Sequence, residues 1–152
     1  MCGIPGAGKS FFAKHFLKDA AYISRDEIRY RLIGEDATEK EYFSKEIETF
    51  NFFVSLIQDN IDLGENVCAD ATHINWNSRK KLLNALRLDE NVDIVAVVIN
   101  APLEDCLKRN SQRNGLRKVP EGVIKRMYKN MTDPANDPFR YTGIEYVSNK
   151  EG

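Results

Sequence analysis

The sequence predicts an α/β fold, a three-layer α/β/α sandwich with a mostly parallel sheet and a helical lid. Three observations carry this. Short apolar runs alternate with segments of helical periodicity along the chain, the pattern of a sheet covered by helices. The run 92–99 is almost unbroken Val, Ile and Ala, apolar on both faces as a buried parallel strand requires. Gly3-Ile4-Pro5-Gly6-Ala7-Gly8-Lys9-Ser10 reads as glycine, four residues, then Gly-Lys-Ser, a phosphate-binding loop. Together they specify the P-loop NTPase sandwich.

The elements follow in order. A helix begins near Lys9, with Phe11, Phe12, His15 and Phe16 at helical spacing. The strand that should precede the loop has only Met1 and Cys2 to form it, so the first strand reads as truncated, as in a clipped version of a longer protein. Residues 20–23 are a short strand. Ser24 then caps a helix, with Glu27 completing a capping box, and Gly34 stops it. Thr38 and Glu41 form a second box. The helix that box opens carries Phe43, Ile47, Phe50, Val54, Ile57 and Ile61 as a core-facing stripe, and Gly64 ends it. The aromatic residues Phe43, Phe50 and Phe53 read as core rather than as a surface for stacking bases.

Residues 66–69 form a strand feeding Asp70. A loop over 71–75 leads to a helix around 76–88 with Leu82, Leu83 and Leu86 buried. Pro102 sits at the first turn of the helix after the apolar strand. Residues 110–119 are polar, basic and glycine-containing, a loop. Pro120 opens a helix to Met131, and 144–147 is a last strand. The whole chain, 1–152, reads as one domain, with its lid at about 105–131.

Composition narrows the function. The 152 residues are 42% hydrophobic and 30% charged, with net charge −1, typical of a globular domain and without the overall basic field of a nucleic-acid binder. No apolar run reaches the roughly 20 residues that span a bilayer, so no membrane partner is expected. Cys2, Cys68 and Cys106 are too few and odd in number for a disulfide framework and lack metal-ligand spacing. The expected compartment is a reducing cytoplasm. No protein partner is indicated.

The loop's chemistry is that of a bound nucleoside triphosphate. Glycines bring backbone N–H groups against the phosphates, and the helix N-terminus adds the positive end of its dipole. The donor-binding set is Gly3, Pro5, Gly6, Ala7, Gly8, Lys9, Ser10 and Phe11. Lys9 reaches the β- and γ-phosphates, and the Ser10 hydroxyl takes Mg²⁺. The implied cofactors are ATP and Mg²⁺.

Ligands in such sheets bind beyond the carboxyl ends of the strands, which selects 24–29, 70–75 and the segment after Asn100. Asp26 and Arg29 lie three apart on one helical face. They either orient an acceptor hydroxyl and hold an acceptor phosphate, or form a surface ion pair. A loose phosphoryl-transfer transition state asks little of a base. Arg25 reads as a surface residue. Asp70 either holds a water on Mg²⁺ or starts a turn. His73 reads as a polar surface group, with substrate contact the alternative. Tyr22, Tyr30 and Tyr42 carry no signal of their own. Arg109 and Arg113, with Lys108, Arg117 and Lys118 nearby, form either a lid that clamps phosphoryl oxygens or a solvated basic loop; the phosphate loop favours the lid.

Four blocks carry a resemblance. Gly3 to Ser10, Ile23-Ser24-Arg25-Asp26-Glu27-Ile28-Arg29, Asp70-Ala71-Thr72-His73-Ile74-Asn75 with Arg79, and Lys108-Arg109-Asn110-Ser111-Gln112-Arg113 running to Val119-Pro120 and Met127-Tyr128-Lys129-Asn130-Met131 resemble the kinase domain of phage-type polynucleotide 5′-hydroxyl kinases. That family sits in the wider group of P-loop kinases that includes zeta-toxin-like kinases. The resemblance implies that Asp26 is the general base on the 5′-hydroxyl and that Arg29 binds the phosphate 3′ of the terminal nucleotide, with Thr72 beside them on the acceptor. It makes Arg109 and Arg113 lid arginines on the donor phosphates. The family's aspartate in the third block aligns with either Asp70 or Ala71. No Asp-x-Asp-x-Thr phosphatase motif occurs, so the resemblance implies a kinase-only unit.

Three functions follow. The first is ATP-dependent transfer of a phosphoryl group to the 5′ end of a nucleic acid. The second is the same donor chemistry on a small metabolite or nucleotide sugar. The third is an inactive nucleotide-binding fragment, which would show no cooperative melting with or without Mg-ATP.

Overall fold

A computed structural model describes residues 1–34 and 36–149. Seven helices and four strands are described: α1 (Lys9–Phe16), β1 (Ala21–Ser24), α2 (Arg25–Ile33), α3 (Glu39–Ser44), α4 (Glu46–Asp62), β2 (Val67–Asp70), α5 (Trp76–Ala85), β3 (Val95–Asn100), α6 (Leu103–Ser111), α7 (Glu121–Asn130) and β4 (Gly143–Ser148). Single 3₁₀ turns lie at Gly115–Arg117 and Pro134–Asn136.

Every described strand pairing is parallel. β1 pairs with β2 so that Ser24 faces Asp70, and β3 pairs with β4 so that Asn100 faces Ser148. Residues 1–3 lie between the two pairs, in the place of the strand the sequence so nearly lacks. Cys2 forms a parallel bridge with Val98, donating to the Val97 carbonyl at 2.8 Å and accepting from the Ile99 N–H at 2.8 Å. On the other side the Met1 nitrogen donates to the Ala69 carbonyl at 3.0 Å, and the Gly3 N–H to the Thr72 carbonyl at 2.9 Å. The order is therefore β1, β2, residues 1–3, β3, β4, and the phosphate loop leaves the middle of the sheet.

Two buried clusters cover the sheet. Ile4, Ala7, Val97, Ile99, Cys106 and Ile124 join the phosphate loop to β3, α6 and α7. Ile23, Phe53, Ile57 and Leu82 join β1 to α4 and α5. The four central residues of β3 are buried, as its two-faced apolar run requires. Leu82 is buried while Leu83 and Leu86 are only half-buried. All three cysteines are free and buried. Among the described residues no helix is long and apolar enough to cross a membrane.

Local signals set most helix ends. The Ser24 hydroxyl accepts from the Glu27 N–H, Gly34 closes α2 at φ 80°, and Thr38 with Glu41 makes both bonds of a capping box. Glu27 does not return to the Ser24 backbone; its carboxylate pairs with Arg117 instead. The long helix expected from Thr38 is two helices. The backbone breaks at Lys45 (φ −105°, ψ 9°), which resets the helical phase. The face that α4 buries is Thr49, Phe53, Ile57 and Gln58, whereas Phe43 and Ile47 are 63% and 78% exposed. The stripe was drawn through a helical phase that Lys45 interrupts. Pro102 and Pro120 each stand one residue before their helix, as N-caps.

Candidate functional site

The carboxyl ends of β1 and β2 open, with the phosphate loop, into one cleft of about 1120 Å³. At one end lies the phosphate loop. Gly6 and Gly8 adopt φ 83° and 98°, values that favour glycine. A Cβ on Gly6 would stand 2.5 Å from the Cys106 carbonyl oxygen, so the loop is packed directly on α6. No side chain caps α1, and its first N–H groups are left for an anion. Pro5, Gly6, Lys9 and Ser10 line the cleft, with Asp70 and Thr72 beside them. Gly3, Ala7, Gly8 and Phe11 are not among its lining residues; Phe11 is 59% exposed and stacks on His15 at 4.0 Å.

Lys9 Nζ donates to the Ile4 carbonyl at 3.0 Å. Burial lowers its pKa below the ordinary lysine value, and Asp70 and Asp26 oppose that shift. Asp70 ends β2, is buried, and accepts a short hydrogen bond from the Tyr22 hydroxyl. Burial, then that bond, raises the Tyr22 pKa. Tyr22 was uninformative in sequence because its partner lies 48 residues away. The donor set suits Mg²⁺: a hydroxyl and a carboxylate are hard oxygen ligands, and Mg²⁺ takes one or two protein oxygens with the rest from phosphates and water. Among the described residues no cluster of three or more His, Cys, Asp or Glu offers a fuller cage.

At the other end α2 presents Asp26 and Arg29. They do pair, at 2.6 Å, but not as a surface pair: the Arg29 side chain is 6% exposed and that of Asp26 is 68% exposed. Arg29 Nε also donates to Glu46 at 2.7 Å, a second nitrogen makes a close ion pair with Glu46, and the guanidinium lies over the Tyr42 ring at 4.4 Å. Arg25, expected on the surface, lines the same cleft. It pairs with Glu46 at 3.1 Å, packs over Phe50 at 5.4 Å and leaves its Nε without a partner. Glu46 thus holds two arginines, 17 and 21 residues away.

Arg113 lines the cleft with Lys9, as the lid reading requires. Arg109 does not line it; its guanidinium donates to the Gly6 carbonyl at 2.8 Å and braces the phosphate loop from behind. The loop between α6 and α7 is pinned at its neck by Asn110, whose side chain donates to the Val119 carbonyl at 2.7 Å and accepts from its N–H at 2.9 Å. The loop touches α2 through Arg117, which stacks over Tyr30 at 4.4 Å and pairs with Glu27 at 3.0 Å.

His73 is not a surface group. It is 7% exposed, has φ 41°, and its Nδ1–H donates to the Met1 carbonyl at 2.9 Å. Burial, more than any other influence, pushes its pKa down to about 3. Arg79 braces the same loop: it binds Asp137 at 2.7 and 2.8 Å, the His73 carbonyl at 2.9 Å and Thr132 at 3.0 Å.

The family model described as AAA domain matches residues 1–134. The chain belongs to this AAA-domain family. Over 139 residues it is 31% identical to the L-seryl-tRNA(Sec) kinase of Methanococcus maripaludis, a match covering 88% of this chain and 52% of that protein. The chain thus spans about half the length of the curated relative it matches. Its fold resembles that of a sugar kinase from Janibacter sp. HTCC2649 (TM-score 0.62, 14% identity, 98% of this chain and 82% of that one). It also resembles a gluconokinase from Sinorhizobium meliloti 1021 (TM-score 0.54, 14% identity, 98% and 79%). At that identity the likeness is one of fold, and the fold is that of P-loop kinases.

Proposed function

We propose that the chain is an ATP- and Mg²⁺-dependent phosphotransferase acting on an alcohol, and that the alcohol is the 5′-hydroxyl of a polynucleotide. The observation that carries this is the gathering, in the lining of one cleft, of Lys9, Ser10 and Arg113 with the Asp26–Arg29 pair. ATP bound at the phosphate loop supplies the γ-phosphoryl group, and Mg²⁺ neutralises its charge. Lys9 and the uncapped amides of α1 hold the donor phosphates. Ser10 and Asp70 present oxygens for the metal, and Tyr22 fixes the Asp70 carboxylate. Asp26 orients the attacking hydroxyl and accepts its proton. Arg113 meets the charge spread over the phosphoryl oxygens. Arg29, held by Glu46 and Asp26, has only the remaining N–H groups of its two terminal nitrogens to give an acceptor phosphate.

A small hydroxylated metabolite is the second reading. Glu39 and Glu46 line the acceptor end, and a cleft so partly neutralised suits a polyol as well as an anion. Labelled-phosphate transfer from ATP to a 5′-hydroxyl oligonucleotide, a nucleoside 3′-phosphate and gluconate separates the two. Transfer to the first two is expected. Arg29→Ala should raise the acceptor KM by about tenfold or more, the loss of one charged hydrogen bond, with the ATP KM little changed. Equal losses on both substrates would remove Arg29 from the acceptor site, and transfer to gluconate alone would replace the polynucleotide reading with the second.

A further inference from the structure

Phe43 contradicts its sequence reading in a way that points to a ligand. It is 63% exposed yet lines the cleft. No residue of α3 is buried; the helix is set by its capping box and by the break at Lys45 rather than by a core-facing stripe. Among the described ring contacts Phe43 meets only Tyr42, in a T-shaped arrangement at 5.2 Å. Tyr42 in turn carries the Arg29 guanidinium at 4.4 Å, and Arg29 holds Asp26 at 2.6 Å. These contacts run from a hydroxyl-orienting carboxylate through an anion-binding guanidinium to an exposed aromatic face, all within one cleft.

We propose that Phe43 is the platform on which a planar heteroaromatic ring of the acceptor stacks, making the acceptor a base-bearing terminal nucleotide rather than a sugar or polyol. This rests on the phosphotransferase reading above. A terminal nucleotide carries a hydroxyl, a phosphate and a base on one sugar, one group each for Asp26, Arg29 and Phe43. Stacking is tolerant of base identity, because every base has a π-face. A hexose has no π-face to stack there and could cover the ring only with its C–H groups.

The test compares two oligonucleotides that differ only at the 5′ residue, one with a base and one with an abasic tetrahydrofuran, both carrying a 5′-hydroxyl. Phe43→Ala should lower kcat/KM for the base-bearing strand by about 5- to 150-fold, the range of one base–aromatic stack. The abasic strand should change by less than about twofold, the ATP KM should hold, and Phe43→Trp should restore the preference. Equal effects on both strands, or none on the base-bearing strand while wild type phosphorylates it, would overturn the platform and leave the phosphotransferase reading standing. A changed oligomeric state in Phe43→Ala with unchanged kinetics would overturn it too, assigning the ring to a contact between copies. Failure of wild type to phosphorylate either strand would remove the reading on which the platform rests.

Discussion

The two ends of the cleft are built from different materials. The proposed donor end centres on backbone: glycines at positive φ, uncapped amides and one lysine from one short run of sequence, which Asp70 and Arg113 join from elsewhere in the chain. The acceptor end is made of side chains that hold one another across the chain, with Glu46 between Arg25 and Arg29, and Tyr42 under Arg29. Backbone geometry depends on local residue order. A side-chain network depends on which helices meet. A site of the first kind tolerates little variation in sequence, while a site of the second kind can be retuned for a new acceptor without touching the donor machinery.

The contrast breaks or sharpens under three substitutions. Lys9→Ala should lower kcat by about 10²- to 10³-fold, the cost of one preorganised charge on the phosphoryl group, and do so equally for every acceptor. A loss confined to one acceptor would mean that Lys9 also serves the other end. The loop over 71–75 lines the cleft through Ala71 and Thr72, and buried His73 gives it a pH response. The folded pKa of His73 is about 3, below the unfolded value of about 6.5. Its stabilising effect is therefore complete above about pH 6.5 and is lost as pH falls towards 3, at about 1.4 kcal/mol per pH unit. Urea unfolding at pH 7 and pH 5 should show this slope in wild type and a flatter one in His73→Asn, which also tolerates the positive φ. An unchanged slope would place the response in other groups.

The smallest effect belongs to the acceptor network. Glu46→Gln should reduce acceptor kcat/KM by about tenfold, equal to about 1.4 kcal/mol, with the ATP KM within about twofold. Steady-state kinetics with each substrate varied checks it. Tighter acceptor binding in this variant would show that Glu46 competes with the acceptor instead of positioning its arginines.

The sequence made the phosphate loop and the succession of strands and helices legible because both are local: a loop motif, capping residues and a two-faced apolar strand; the order of the strands in the sheet came only from the structure's pairings. Asp26, Arg29 and Asp70 were proposed from their places at strand ends and helix starts, Thr72 from the loop after β2 and Arg113 from the basic loop; all five line one cleft. What the sequence hid lies between distant residues. Tyr22 meets Asp70, Glu46 meets two arginines, and Arg79 meets Asp137, at separations of 17 to 58 residues. Phe43 was misread because one non-helical residue, Lys45, shifts the helical phase. His73 was misread because polarity suggests exposure, whereas its Nδ1–H finds a backbone carbonyl in the interior.

The tight seat of Gly6 on Cys106 limits how the cleft can open. Cys106 of α6 and Ile124 of α7 are both fully buried in the cluster that contains the phosphate loop. A hinge at the root of either helix would have to tear that packing apart. Between them Asn110 clasps Val119 like a buckle, leaving residues 111–118 as a loop whose further described ties are the contacts of Arg117 and Leu116 with α2. The moving part would then be a small flap carrying Arg113 and Arg117 on fixed posts, not a two-helix hatch, and substrates would come and go past its tip.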